Sequence, residues 1–226
     1  MDENTIFCDW IKVYRDFPSL REPLPVIFRS VTATRDRSGR LVSEFLRPDQ
    51  VEGSWASTIR LSCDGSRVYL DGNAGRFHRP DNLFNLGWVG TKAAVDGIAS
   101  SHGLPPFSVA HHLGIAGRDT GSVFMPASGA RLRRVDLTCN YSAGTHARAR
   151  AVIDWIASRS VSRVKRGRAG DESVWFGNSR RFVKAYLKGC ELLAHGLPAS
   201  DRRVQWCMDQ GIVRMEVELK RRLLDE

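Results

Sequence analysis

Three stretches, RVDLTCNY (134–141), FVKAYLK (182–188) and VRMEVELK (213–220), alternate apolar and polar residues with a period of two. A strand sends successive side chains to opposite faces, so each stretch predicts a strand with one buried and one ionisable side. In the first, Arg134, Asp136, Thr138 and Asn140 oppose Val135, Leu137, Cys139 and Tyr141. In the second, Lys184, Tyr186 and Lys188 oppose Val183, Ala185 and Leu187. In the third, Arg214, Glu216, Glu218 and Lys220 oppose Val213, Met215, Val217 and Leu219. If the strands are neighbours, a tyrosine, several carboxylates and several cations share one surface.

That inventory suits phosphodiester chemistry. A phenol ionises near pH 10 and needs help to act as a nucleophile. Asp136 and Glu216 are the candidate ligands of a divalent cation, Mg²⁺ or Mn²⁺, that would polarise a phosphate. Lys184 and Lys188, two residues either side of Tyr186, are placed to neutralise charge on a pentavalent transition state. The bland alternative is a set of half-solvated strands with ordinary cross-strand ion pairs.

Working outward, the first third reads as β-rich, with strands over 6–14, 26–34, 54–62 and 67–70. Asp64-Gly65 between the last two is a hairpin signal. A Gly/Pro/Asn-rich loop (72–84) precedes a helix over 89–101, stopped by Gly103 and Pro105-Pro106. Residues 107–130 read as a long loop or irregular strands. A strand is expected over 131–141, a helix from Thr145 to about Ser158, and a basic glycine-bearing loop over 158–172. Strands over 173–176 and 181–188 lead to helical segments near 191–195 and 201–210, then a last strand over 212–219. The expected fold is α+β, a mainly antiparallel sheet flanked by helices, in a single domain over 1–226.

The chain is basic, with net charge +9, and the excess is local. Between Arg131 and Lys188 there are 14 Lys and Arg against 4 Asp and Glu. Such a concentrated positive field attracts polyanions. Arg163, Lys165, Arg166 and Arg168 would grip phosphates from the basic loop, joined by Arg134, Arg180, Arg181 and Arg214. Trp175 or Phe176 would either stack on an unpaired base or fill core, the commoner role. Five scattered cysteines without a C-x-x-C pair exclude a zinc ribbon and a disulfide scaffold. Neither a membrane-length apolar run nor a signal-peptide pattern is present, so a cytoplasmic location with no membrane partner is expected.

RVDLTCNY (134–141), ESVWFGNSRRFVKAYLKGCEL (172–192) and GIVRMEVELKRRLL (211–224) resemble the replication initiators of filamentous phages, the gene II/X family. Weaker likeness runs through GRFHRPDNLF (75–84) and GLPP (103–106). The resemblance implies a fold related to rolling-circle replication nucleases. It also implies an enzyme, a metal-dependent DNA endonuclease and strand transferase that nicks the origin plus strand and becomes linked to the 5′ phosphate through a tyrosine. That tyrosine, in the A-Y-L-K block, is Tyr186 here. The implied partners are the phage origin, single-stranded and supercoiled, with host helicase and polymerase, in the cytoplasm of a bacterial host. Transesterification conserves bond energy, in keeping with the lack of a G-x-x-x-x-G-K-[ST] motif.

The chain departs from the wider superfamily in having no H-x-H motif; His111 and His112 are adjacent. Asp81, where some relatives carry histidine before an Asn, is a candidate third oxygen ligand, with a turn role as its alternative. His78, His102, His146 and His195 read as surface or structural. Members of the family usually continue past the block at which this chain ends, so a C-terminal extension is expected to be missing. A non-catalytic nucleic-acid-binding regulator, or a decayed initiator, is the competing reading. A tyrosine recombinase is set aside because no histidine has Arg three residues on.

Overall fold

The computed structural model describes residues 6–17, 22–55, 57–107 and 129–224. The long loop expected over 107–130, with His111 and His112, falls almost wholly outside them. The chain divides into two compact units, one of Trp10–Pro80 with Trp88–Arg133, the other of Met1–Asp9, Asp81–Gly87 and Arg134–Glu226. Every strand pair with a stated register is antiparallel.

The first unit is built from β1 (Phe7–Asp16), β2 (Val26–Ile27), β3 (Ser30–Arg35), β4 (Leu41–Arg47), β5 (Asp49–Glu52), β6 (Thr58–Asp64), β7 (Arg67–Gly72) and α1 (Trp88–Ser101). Its sheet runs β2-β6-β7-β1, with β5 also on the edge of β6, and β3-β4 stand as a separate ribbon. The Asp64-Gly65 signal is a real turn. Asp64 Oδ1 accepts from the Ser66 and Arg67 amides, and Gly65 takes φ +97°, a left-handed conformation that glycine adopts at no steric cost. Leu61, Cys63, Val68 and Leu70 then alternate inward and pack against Val95, Ile98 and Ala99 of α1. The run 26–34, expected as one strand, is split into β2 and β3, and β4 and β5 were not anticipated.

The second unit continues with β8 (Arg131–Ser142), α2 (His146–Ser158), β9 (Lys165–Ala169), β10 (Ser173–Gly177), β11 (Arg181–Leu187), α3 (Lys188–Ala194), α4 (Arg202–Asp209), β12 (Ile212–Lys220) and α5 (Arg221–Leu224). Its strand order is β8-β12-β11-β10-β9, so the three patterned segments are neighbours. Thr145 caps α2 by accepting from the Arg148 amide. The helix lays Ala149 and Ile153 on Val174, Phe176, Ala185, Leu187 and Val213, covering one sheet face. At one end of the opposite face, Leu83, Leu192, Val204, Cys207 and Ile212 form a smaller core beneath α3 and α4. Among the described residues the other end of that face is left uncovered.

The structure corrects two expectations. Part of the basic loop over 158–172 is an edge strand, β9, paired along β10. It lacks apolar residues because an edge strand has little to bury, and lysine and arginine there discourage further pairing. At Gly167 a side chain has no room: an added Cβ would lie 2.2 Å from the Trp175 indole, which occupies that space. Strand β11 ends at Leu187, one residue short of the expected 188, so Lys188 is the first residue of a helix.

Candidate active site

The register assembles the open face rung by rung. Thr138, Glu216, Lys184 and Trp175 lie side by side across β8, β12, β11 and β10. Asp136, Glu218 and Phe182 form the next rung, and Asn140, Arg214 and Tyr186 the previous one. Residues directly opposite in an antiparallel pair share a face. Asp136 is therefore opposite Glu218, not Glu216, and the two expected ligands are diagonal neighbours.

Arg134, Asp136, Phe182, Lys184, Glu216 and Glu218 line one cleft. Tyr186, 9% exposed, lies behind these lining residues, and its hydroxyl donates to one of them, Glu216 Oε1, at 2.5 Å. Lys184 Nζ holds Glu216 Oε2 at 2.5 Å and stands over the Tyr186 ring, 5.3 Å from its centroid. Arg134 forks onto Asp136, 2.8 and 2.6 Å, and reaches Glu218 at 3.5 Å. Burial, with the Glu216 charge beside it, pushes the Tyr186 phenol well above its usual range. Burial likewise raises Asp136, against the opposing pull of Arg134. Tyr186 in this state is a neutral phenol hydrogen-bonded to Glu216.

A hard divalent cation takes oxygen ligands and tolerates several carboxylates. Asp136, Glu216 and Glu218 supply those oxygens, and Thr138 adds a second observation. Its Oγ1 is buried and has no hydrogen-bond partner among the described residues, on the rung of Glu216. A buried hydroxyl left unpaired is costly and needs an explanation. Oxygen donors suited to a hard cation therefore share the cleft, and Arg134 and Lys184 balance their carboxylates. At 35% and 45% side-chain exposure, both have a solvent path by which to withdraw. Among the described residues no ready group of three or more His, Cys, Asp or Glu surrounds one point.

The other nominated residues fall elsewhere. Lys188 is 1% exposed and pairs with Glu191 at 2.7 Å. Burial, with Arg214 nearby, lowers its affinity for a proton, and Glu191 opposes this. It is the first residue of α3, one step past the end of the strand. Asp81 takes the turn role: Oδ1 accepts from the Leu83 amide, and Oδ2 lies 3.5 Å from Arg203. Arg214 is 0% exposed. Its guanidinium donates to Asn140 Oδ1 and to the Asn82 and Leu83 carbonyls, which removes it from any surface a polyanion would touch. Arg166 and Arg168 share the parity of Val174 and Phe176, on the α2 side, where they bond Ala157 O and Asp154. Lys165, Arg163, Arg180 and Arg181 are exposed, and Lys165 shares the parity of the site face. Phe176 is core, while Trp175 stacks on Phe182, centroids 5.4 Å apart.

Glu218, Thr138 and Asn140 belong to the site although sequence reasoning did not nominate them. Their parity was the available signal; their rung was not.

Fold and site together define an α+β protein with a tyrosine–carboxylate pair in an acidic cleft on an open antiparallel sheet. Residues 19–226 match the family model for the N-terminal region of the phage gene II replication-associated protein, and the chain belongs to that family. It is similar to the gene II replication-associated protein of Escherichia phage If1, 27% identical over 194 residues covering 74% of this chain and 59% of that protein. The chain thus spans less than two thirds of the relative's length. No helix among the described residues is long and apolar enough to cross a membrane.

Proposed function

We propose that this chain initiates rolling-circle replication by nicking and rejoining DNA through Tyr186. The observation that carries the reading is the Tyr186–Glu216–Lys184 chain of contacts at the head of the cleft. The phenol oxygen attacks the scissile phosphorus while its proton passes to Glu216. The bond from phosphorus to the 3′ oxygen breaks and that oxygen takes a proton from water, leaving a 3′ hydroxyl and a 5′-phosphotyrosine. Attack of a 3′ hydroxyl on that phosphotyrosine, its proton passing to water, reverses the step and closes the strand, and Glu216 returns its proton to the phenolate. Lys184, freed from Glu216 as the proton arrives, is positioned to meet charge on the phosphate oxygens. Asp136, Glu216 and Glu218 would hold Mg²⁺ or Mn²⁺, whose Lewis acidity polarises the phosphate. Arg163, Lys165, Arg180 and Arg181 would contact the DNA backbone, and host helicase and polymerase would act on the primed strand.

The test is incubation of the protein with supercoiled DNA carrying the cognate origin and a divalent cation. The expected products are nicked circles and a protein–DNA adduct mapping to Tyr186. Salt-sensitive binding with no nicked circles would leave the non-catalytic regulator as the correct reading.

Lys184 also makes a prediction about metal affinity. Its charge competes with a cation for Glu216, so Lys184→Gln should tighten Mn²⁺ binding by roughly ten-fold, about 1.4 kcal/mol, modest because the side chain is half exposed. Isothermal titration of the DNA-free protein reads this directly. Unchanged or weaker Mn²⁺ binding would place the cation elsewhere.

A further inference from the structure

Strands β3 and β4 form a ribbon with no core of its own. Every residue from Phe28 to Phe45 is exposed, including Val31, Leu41, Val42 and Phe45. An isolated two-stranded hairpin is marginal in water, and exposed apolar side chains on it mark a surface used for contact. Between Phe28 and Arg47 the ribbon carries five arginines, Arg29, Arg35, Arg37, Arg40 and Arg47, against Asp36 and Glu44. Asp36 is engaged in the turn, where its Oδ1 accepts from Ser38 and from the Arg40 amide. Among the described residues no carboxylate pairs with any of the five guanidiniums. Arg35 and Arg47 bond within the ribbon, to Gly39 O and Thr32 Oγ1.

The register separates two faces. Ser30↔Arg47, Thr32↔Phe45 and Thr34↔Ser43 place hydroxyls, a guanidinium and one ring on one side. Val31↔Leu46 and Ala33↔Glu44 occupy the other. Arg35, Arg37 and Arg40 gather at the turn, with Arg29 and Arg47 at the base. Cations thus bracket a hydroxyl-bearing strip roughly 15–20 Å long at about 3.3 Å per residue.

We propose that this ribbon is a duplex-DNA reading element. It lays its Ser30, Thr32, Thr34, Ser43 and Arg47 face in the major groove and sets the turn arginines on phosphates. The major groove, about 12 Å wide, admits a two-stranded ribbon, and hydroxyls and guanidinium there meet the donor and acceptor edges of bases. The chemistry disfavours the other polyanions. A membrane would take up the apolar face, which Glu44 interrupts with a charge anionic lipid repels. A single strand is held by rows of aromatic platforms, and the hydroxyl face offers Phe45 alone. The inference rests on the reading of this chain as a protein that acts on DNA, and it adds where duplex is recognised.

The experiment uses the full chain, a labelled duplex carrying the cognate origin, a scrambled duplex, the separated strand and phosphatidylglycerol vesicles. Fluorescence anisotropy across a salt series reads affinity for DNA, co-sedimentation reads vesicle binding, and circular dichroism checks that the variants remain folded. Arg35→Gln/Arg37→Gln/Arg40→Gln should weaken duplex binding at least ten-fold. It should flatten the salt dependence by roughly 0.9 per lost phosphate contact. Single-strand binding should stay within about two-fold of wild type. Thr32→Val/Ser43→Ala should narrow the gap between cognate and scrambled duplex, and guanine N7 methylation should interfere with wild-type binding. Duplex affinity unchanged in the arginine variant, or lost equally on the single strand, would overturn the proposal. So would a loss confined to the vesicles. Wild-type protein that binds no DNA would instead bring down the initiator reading, and the ribbon with it.

Discussion

Tyr186→Phe will abolish the covalent protein–DNA adduct and leave DNA binding close to wild type. The substitution keeps the ring, buried under Lys184. It removes one hydroxyl and, with it, the proton donated to Glu216 Oε1. No other phenol is available on this face: Tyr141 has the parity opposite to Asn140 and Asp136. The fold should tolerate the change, because Lys184 still holds the other oxygen of Glu216. Leaving a buried acceptor short of one donor costs about 1–3 kcal/mol at most. Denaturing electrophoresis of protein incubated with labelled origin DNA reads the adduct, which should fall below detection. An adduct of normal yield would show that the nucleophile is another residue.

The same hydroxyl fixes the sign of an alkaline effect. The folded phenol is held above its unfolded value near 10. The folded state therefore keeps its proton where the unfolded state loses it. The stabilisation is complete below the unfolded value and declines as pH rises above it. Tyr186→Phe should lose less stability than wild type between neutral pH and pH about 11, measured by urea denaturation.

Strand parity made the site legible, and rung made it illegible. Alternation shows which residues of β8, β11 and β12 share a face, and the structure keeps that face. How far one strand slides along its neighbour depends on pairing across the sheet, so the sequence does not reveal that Asp136 sits opposite Glu218 and diagonal to Glu216. Lys188 carries two local signals. The alternation Lys184, Tyr186, Lys188 runs on by one step, but Lys188 and Glu191 are also spaced three apart, the helical spacing for an ion pair. The basic 165–169 segment hid its strand because an edge carries no apolar pattern. Arg214 was invisible in another way. Its parity is that of the polar face, and what buries it comes from residues 81–87, more than a hundred positions earlier.

That burial makes Arg214 the second residue of large effect, through structure instead of chemistry. Nε donates to Asn140 Oδ1 at 2.9 Å, and one terminal nitrogen donates to Asn82 O and Leu83 O at 2.8 and 2.6 Å. The other terminal nitrogen lies 3.6 Å from Asp9, and the guanidinium stands over the Phe7 ring. Asn140 Nδ2 donates to Leu83 O as well, so two neighbouring side chains tie the 81–87 segment to the sheet. Arg214→Ala leaves Asp9 without the cation beside it and two carbonyls short of a donor. Breaking a buried pair from one side costs roughly 3–5 kcal/mol, a large part of the 5–15 kcal/mol typical of a folded domain. Arg214→Lys keeps the charge but not the planar fork, and should fall between wild type and the alanine variant.

The loss will depend on pH in a definite sense. Burial already raises the Asp9 carboxyl, and Arg214 is the main influence opposing that rise. Without Arg214 the carboxyl keeps its proton to higher pH, so acid relieves the variant by neutralising a buried charge. The folded state of the variant then binds more protons than the unfolded chain, and its stability falls as pH rises. Urea denaturation of wild type and Arg214→Ala should therefore show a wider gap at pH about 8 than at pH about 5. A gap that stays the same across this range would mean that Arg214 acts on the fold through its hydrogen bonds alone, with Asp9 balanced by another cation.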